Sequence, residues 1–292
     1  MIDLHTHSTA SDGTCTPTEL IRYAASKSIS VMALTDHDTT AGLTEAQEES
    51  RKQGILFVPG IEITINWPTG EFHLLGLGLK RTSPKLRDII ASLKDERRNR
   101  NLRMAEKLRE NGVVITCEEL EEKFGTENIG RPHFAQLMVE KGYVKQRQTA
   151  FDKYFASGRP CYIARGGVDL DCAVEAIIES GGVPVQAHPL SMYISWGKIE
   201  ETMAGIRDKG VMGLEAWHSA VRISEAERLE SLARQLGMIS TGGSDFHGEK
   251  VRADRHIGFT AGKTKIQDRL WEEELRPLLE KVHGNQDLSF SD

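Results

Sequence analysis

The sequence offers little that would staple or anchor the chain from outside its own core. Its four cysteines, Cys15, Cys117, Cys161 and Cys172, stand far apart. They form no CxxC pair, which argues against a zinc ribbon and a dithiol redox centre. No apolar run reaches the length that spans a bilayer. The opening Met1-Ile2-Asp3-Leu4-His5 has neither a basic segment nor an apolar core, so it does not read as a secretory signal. The expectation is a cytoplasmic protein with free thiols and no membrane partner. Internal repeats and low-complexity tracts are also missing, and no protein partner is evident. A net charge of -6 gives no general reason to expect a nucleic-acid coat. What is present is ordinary for a globular protein: 292 residues, 39% hydrophobic and 27% charged, enough to bury a sizeable core with room for an insert.

Short apolar runs alternate with helical patterns in the first part of the chain. Strands are expected at Met1 to Leu4, Val31 to Leu34, Ile55 to Val58 and Phe72 to Leu79. Thr16-Pro17-Thr18-Glu19 reads as a capping box with proline at the first helical position. A helix is expected from about Thr40 to Gln53, stopped by Gly54. Strand signals then fade, and residues 83–160 read as a helical insertion that includes a helix over Pro132 to Lys141. The alternation returns afterwards, with helices at Asp169 to Ser180 and Ile223 to Leu236. Strands are expected at Val183 to Gln186, Gly213 to Ala216 and Met238 to Thr241. Residues 1–82 and 161–292 thus form the two parts of one α/β domain. Such a rhythm implies parallel strands with helices outside, and in such folds chemistry sits beyond the C-terminal strand ends.

Those strand ends carry histidines and acids repeatedly. His5, His7, His37, His73, His188 and His247 fall at strand ends or in the hairpin, and Asp12, Glu62 and Asp245 sit in comparable places. Strand side chains alternate, so His5 and His7 face one way and can share an ion, and Asp245 and His247 repeat that spacing. A lone histidine is more often structural than a ligand. Six histidines and three acids gathered at one mouth are another matter, because burying them without cations would leave costly unpaired polar groups. Imidazole suits zinc, iron and manganese, and a carboxylate can bridge two cations.

Six segments together resemble the polymerase and histidinol phosphatase (PHP) family of metal-dependent phosphoesterases. They are DLHTHSTASDG (3–13), LTDHDT (34–39), GIEI (60–63), FHLLG (72–76), AHP (187–189) and GGSDFHG (242–248). The resemblance implies a distorted seven-stranded β/α barrel with a cluster of two or three divalent ions, of manganese, zinc or iron. It implies that His5, His7, Glu62 and Asp245 hold one ion, and that Glu62 bridges to a second held by His73 and His188. Asp12, His37 and His247 would hold a third, with Asp12 standing where some branches have histidine. The helical insertion and Gly130-Arg131-Pro132-His133 resemble the branch that includes nucleoside 3',5'-bisphosphate phosphatases and a 5'-to-3' exoribonuclease. A nucleotide or another phosphorylated small molecule, or a short RNA end, is the expected substrate. A hydroxide bridging two ions is the expected nucleophile.

Arg131 and Arg159 are candidate phosphate clamps, because guanidinium forks match phosphate oxygens. His218 is a candidate for a phosphate contact or for the acid that protonates the leaving group. His133 reads either as a helix-terminus residue or as a substrate contact. Residues 83–160 carry 16 Lys and Arg against 12 Asp and Glu, a net of +4, which leaves -10 for the rest of the chain. That basic insertion suits a polyanionic substrate. The competing readings are an amidohydrolase-type C–N hydrolase, a histidinol-phosphatase-like enzyme, and a non-enzymatic module that keeps the fold. No strand-placed lysine is seen of the kind that forms a carboxylated metal bridge, and every ligand position is filled.

Overall fold

The strands follow the order read from the sequence in a computed structural model that describes residues 1–126, 128–164, 166–249, 251, 255–284 and 288–291, and helices stand at 199–208 and 276–283 where none was read. The chain runs β1 (Ile2–Asp3), α1 (Pro17–Ser26), β2 (Val31–Leu34), α2 (Leu43–Gln53), β3 (Leu56–Ile65) and β4 (Phe72–Leu77). Helices α3 (Pro84–Glu110), α4 (Cys117–Phe124), α5 (Arg131–Glu140), α6 (Arg147–Ala150) and α7 (Leu170–Glu179) come next. The chain closes with β5 (Val183–Gln186), α8 (Ile199–Asp208), β6 (Gly213–His218), α9 (Ile223–Gln235), β7 (Ile239–Gly243) and α10 (Arg276–His283). It divides into two compact units, Met1–Ile90 with Gly167–Asp292, and Ala91–Gly166. Among the described residues no helix is long and apolar enough to cross a membrane.

The first unit contains one seven-stranded sheet in sequential order, β1 to β7. β1, β2 and β3 are parallel, as are β5, β6 and β7, but β4 is antiparallel to both its neighbours. The expected all-parallel run is therefore broken once. The cause is local: Asn66 to Glu71 are too few for the crossover that a parallel connection needs, so the chain turns back as a hairpin. The segments beyond β1 and β7 bring the sheet almost to closure. Leu4 N–H donates to the Gly242 carbonyl at 3.2 Å, Asp245 N–H to the His5 carbonyl at 2.9 Å and His7 N–H to the Phe246 carbonyl at 2.9 Å. Gly243 permits this close approach, since a Cβ there would lie 2.2 Å from that of His5.

β2, β4, β5 and β6 are buried along their whole length, as strands covered on both faces must be. The helices bury one stripe each, as α9 does with Ala226, Leu229, Leu232 and Ala233. The capping box at α1 forms as read: Thr16 accepts from Glu19 N–H, and Glu19 accepts from Thr16 N–H at 2.8 Å. Such a cap stabilises its helix by about 1 kcal/mol.

The second unit is helical, around an apolar core that includes Met104, Leu108, Leu120, Phe134, Met138 and Phe155. Thr116 caps α4 by accepting from Glu119 N–H at 3.2 Å. At the start of α5, Gly130 N–H donates to His133 Nδ1 at 2.9 Å. Of its two readings, His133 thus takes the helix-terminus role. It is buried, with its ring 4.7 Å from that of Phe124.

Candidate metal centre

The barrel topology delivers the chemistry-bearing residues to one end. His5 and His7 follow β1, His37 follows β2, and Glu62 sits in β3. Glu62 pairs in register with Leu75, and His73 with Thr64, so Glu62 and His73 are diagonal neighbours on one face of the hairpin. His188 follows β5, His218 ends β6, and Asp245 and His247 follow β7. His5, His7, His37, Glu62, His73, His188 and His218 are all buried.

Glu62 is the hub. Its Oε1 lies 2.9 Å from His73 Nδ1 and 2.9 Å from His188 Nε2. Its Oε2 lies 2.9 Å from His37 Nδ1, 3.3 Å from His7 Nε2 and 3.4 Å from His5 Nε2. Asp245 Oδ1 faces the same pair of rings, 3.3 Å from His7 Nε2 and 3.6 Å from His5 Nε2. Asp12 Oδ1 stands 3.1 Å from His247 Nε2. Three groups have donor atoms close enough together to hold an ion: His7, Asp12, His37 and His247; His5, His7 and Asp245; and His37, Glu62 and His73. His7 and His37 each belong to two groups, a more interlocked arrangement than the family resemblance implied.

These residues fit divalent cations. Glu62 Oε2, His7 Nδ1 and His218 Nε2 are buried and make no hydrogen bond of acceptable geometry, although polar atoms crowd around them. His5 Nε2 and His7 Nε2 lie only 3.1 Å apart. Two nitrogens on a tetrahedral ion stand roughly 3.4 Å apart. These two nitrogens also converge on Glu62 Oε2 and Asp245 Oδ1, and donor atoms gathered at such spacing are arranged as ligands are. Imidazole with carboxylate suits manganese, zinc and iron.

The protonation balance tells the same story. Burial opposes charge on His5, yet Glu215 and Glu62 outweigh it and hold its pKa well above the usual imidazole value. His7 is likewise opposed by burial, but the Asp245 and Glu62 carboxylates facing it carry it up to about 10. Burial wins at His37, which falls to about 4. Burial would raise Glu62, but His37, His73 and His5 hold it well below the ordinary carboxylate range. Without a cation, protons on His5 and His7 do the neutralising.

Several residues that sequence reasoning did not single out support the cluster. Glu215 Oε1 pairs with His5 Nδ1 at 2.8 Å, and its Oε2 accepts from His188 N–H at 2.8 Å. A carboxylate on Nδ1 fixes the tautomer and turns the Nε2 lone pair inward. An irregularity between Glu215 and Trp217 shifts the register of β6. It lets Glu215 and His218, an odd number of residues apart, both reach the centre. An acid inside a fully buried strand is the signal that could have revealed Glu215. Asp36 accepts from Ser8 N–H at 2.8 Å, Ser8 Oγ at 2.6 Å and Ser11 Oγ at 2.5 Å, tying down the loop that carries His7 and Asp12. Asp38 accepts from Thr64 N–H at 2.9 Å. Arg255 pairs with Asp245 Oδ2, and nothing in its polar surroundings in the sequence announces it.

His188, Asp38 and Asp245 have φ of 28°, 54° and 53°, a region that non-glycine residues seldom enter. Such strain persists where the surroundings over-determine it, and it gathers at functional sites. Of the candidate substrate residues, His218 is at this centre. Its Nδ1 accepts from Ala220 N–H at 3.1 Å, and its Nε2 lies 3.4 Å from Asp245 Oδ2. Arg131 and Arg159 belong to the second unit. Arg131 donates to the Ile163 carbonyl at 2.6 Å and lies over the Tyr162 ring, whereas Arg159 is exposed.

A family model for the PHP domain matches residues 3–155, more than half of the chain. The chain belongs to the PHP family. Among its relatives, a 3',5'-nucleoside bisphosphate phosphatase from Chromobacterium violaceum is 33% identical over 93% of this chain and 95% of its own length. The 5'-3' exoribonuclease Rnm of Escherichia coli is 31% identical over 93% of this PHP chain and 94% of its own. A solved structure of an amidohydrolase from Chromobacterium violaceum, with bound sulfate and no metal, superposes with a TM-score of 0.83 at 32% identity and covers 96% of each chain.

Proposed function

We propose that this PHP protein is a metal-dependent phosphoesterase that hydrolyses a phosphate ester at the end of a nucleotide or of a short RNA. The observation that carries the reading is the buried Glu62 carboxylate, with both oxygens against imidazoles from three separate strand ends and the hairpin. His5, His7, Glu62 and Asp245 would hold one ion, Glu62, His73 and His188 a second, and Asp12, His37 and His247 a third. Divalent ions bound there supply charge neutralisation for the phosphoryl oxygens and an activated water.

The chain's own residues do the positioning. Glu215 orients His5, and Asp36 fixes the loop of His7 and Asp12. Burial lowers the pKa of His218, so its ring is neutral near pH 7. Its Nδ1 accepts a backbone hydrogen bond, which leaves the proton on Nε2. We therefore assign His218 as a hydrogen-bond donor to a phosphate oxygen rather than as the acid that protonates the leaving group. Arg131 and Arg159 are our phosphate-contacting arginines in the helical unit.

The names of the relatives support a terminal phosphate beside a ribose as substrate, and the sulfate bound by the Chromobacterium protein is a phosphate-like anion. The amidohydrolase name of that same structure motivates the competing reading, hydrolysis of a C–N bond. Against it, the shared carboxylate is Glu62, and no lysine is buried among the described residues. The test is phosphate release from adenosine 3',5'-bisphosphate with added manganese, beside a 5'-phosphorylated RNA oligomer, dipeptides and cyclic amides. Hydrolysis of either phosphate substrate is expected. Turnover of amides alone would refute the proposal.

A further inference from the structure

Tyr193 is the most exposed of the large hydrophobic side chains in the described structure, at 82%. It lies five residues beyond His188, on the segment that leaves the C-terminal end of β5. Its backbone is in the left-handed region, with φ 54° and ψ 39°. So exposed a ring gains little burial to repay that strain.

The loop around it is nevertheless held firmly. Met192, its immediate neighbour, is fully buried and its Sδ lies 3.1 Å from Gln186 Nε2. Thr69 Oγ1 donates to the Met192 carbonyl at 2.9 Å, and Glu71 N–H to the Ser191 carbonyl at 2.8 Å. Ser191 Oγ donates to the Glu71 carbonyl at 2.7 Å and sits 2.7 Å from His188 Nδ1, so the loop and the candidate ligand are fastened to the same hairpin. Gly70 completes the joint: a Cβ there would lie 2.2 Å from the Ser191 carbonyl oxygen and 2.8 Å from the Tyr193 ring. The same hairpin carries a second unfinished group. The Nε1–H of Trp67 is buried, and no acceptor among the described residues reaches it.

A flexible loop would relax the strained residue, and a folding role would bury the ring. A rigid loop that displays a strained aromatic residue, and that is fastened through Ser191 to the candidate ligand His188, does neither, and strain of this kind is retained for function. Aromatic faces in such positions bind planar ligands by stacking, with little entropy lost because the ring is already placed. We infer that Tyr193 is a stacking platform for the base of the nucleotide substrate. The inference rests on the phosphoesterase reading above. It assigns base recognition to the barrel's β5 loop, apart from the phosphate contacts.

The test compares two substrates, adenosine 3',5'-bisphosphate and the same sugar bisphosphate without its base, on wild-type protein, Tyr193→Phe, Tyr193→Trp and Tyr193→Gly. Glycine suits the left-handed backbone, so that variant removes the ring without adding strain. Elemental analysis of bound manganese identifies any variant with a damaged centre. The expected result is a wild-type preference for the base-bearing substrate, expressed in KM. Phenylalanine and tryptophan keep that preference, and glycine reduces it by about tenfold. A preference that survives in Tyr193→Gly overturns the inference, as does a wild-type protein that hydrolyses both substrates equally well; both leave the phosphoesterase reading standing. No hydrolysis by manganese-loaded wild type of either substrate overturns the inference, and no hydrolysis of the 5'-phosphorylated RNA oligomer as well overturns the phosphoesterase reading with it.

Discussion

In the helical unit the side chains withdrawn from water are Met104, Leu108, Phe134, Met138 and Phe155. At the barrel mouth they are His5, His7, His37, Glu62 and His73. The first set gains free energy by burial alone, at about 25 cal/mol for each Å² of apolar surface. The second loses by burial, and the loss is offset only where each group meets a partner. The barrel finds partners for some atoms, such as His5 Nδ1 on Glu215, and leaves others, such as Glu62 Oε2, without a hydrogen bond. The difference teaches that the interior of the helical unit is complete as folded, whereas the barrel mouth is built around something the chain itself does not supply.

The sharpest way to break this contrast is at the hub. Glu62→Ala should lower turnover of a phosphate ester by at least about a thousandfold, because its two oxygens stand against the imidazoles of His5, His7, His37, His73 and His188. Steady-state kinetics at saturating manganese checks this, and near-wild-type turnover would contradict it. In the other unit, Phe134→Ala should cost about 3–5 kcal/mol of stability, seen in denaturant unfolding of that unit. Manganese affinity should not change, since that core carries no ligand. Glu215→Gln should weaken metal binding by about 10–100-fold, as measured by calorimetry, because His5 loses the carboxylate that sets its tautomer.

The smallest effect is one of pH. In the metal-free protein the pKa of His7 lies near 10, so the ring holds a proton that an incoming ion must displace. Metal affinity should therefore rise with pH between about 6 and about 9, by up to about tenfold per unit for each proton displaced. Proton release on metal addition in weakly buffered solution reads this directly. Affinity that is flat over that window would contradict the assignment of His7 as a ligand. His37, already neutral above about pH 4, should contribute nothing to the slope.

Much of this was legible in the sequence, for reasons that differ by residue. The His5–His7 and Asp245–His247 spacings read as ligand pairs because strand geometry alternates. Glu62 and His188 stood out because a polar residue ended or interrupted an apolar run. β4 was legible as a strand, but its direction depended on the short hairpin, which periodicity does not weigh. Glu215 escaped because its position inside β6 pointed it away from His218 until the bulge reversed the parity. Arg255 meets Asp245 only through the fold, and an isolated arginine carries no periodic signal. His133 had two readings at the level of sequence, and its bond to Gly130 N–H decided between them. The sharing of His7 and His37 between ligand groups is a matter of ångströms, which no spacing rule contains.

The central claim is that the barrel mouth holds divalent ions on its histidines and carboxylates. Its most direct test is elemental analysis of the protein after manganese loading and desalting, on wild type and on Glu62→Ala with His188→Ala. The account predicts about two or three ions per wild-type chain and a loss of at least one in the double variant. Less than one ion per wild-type chain, or equal loading of the two proteins, would contradict it.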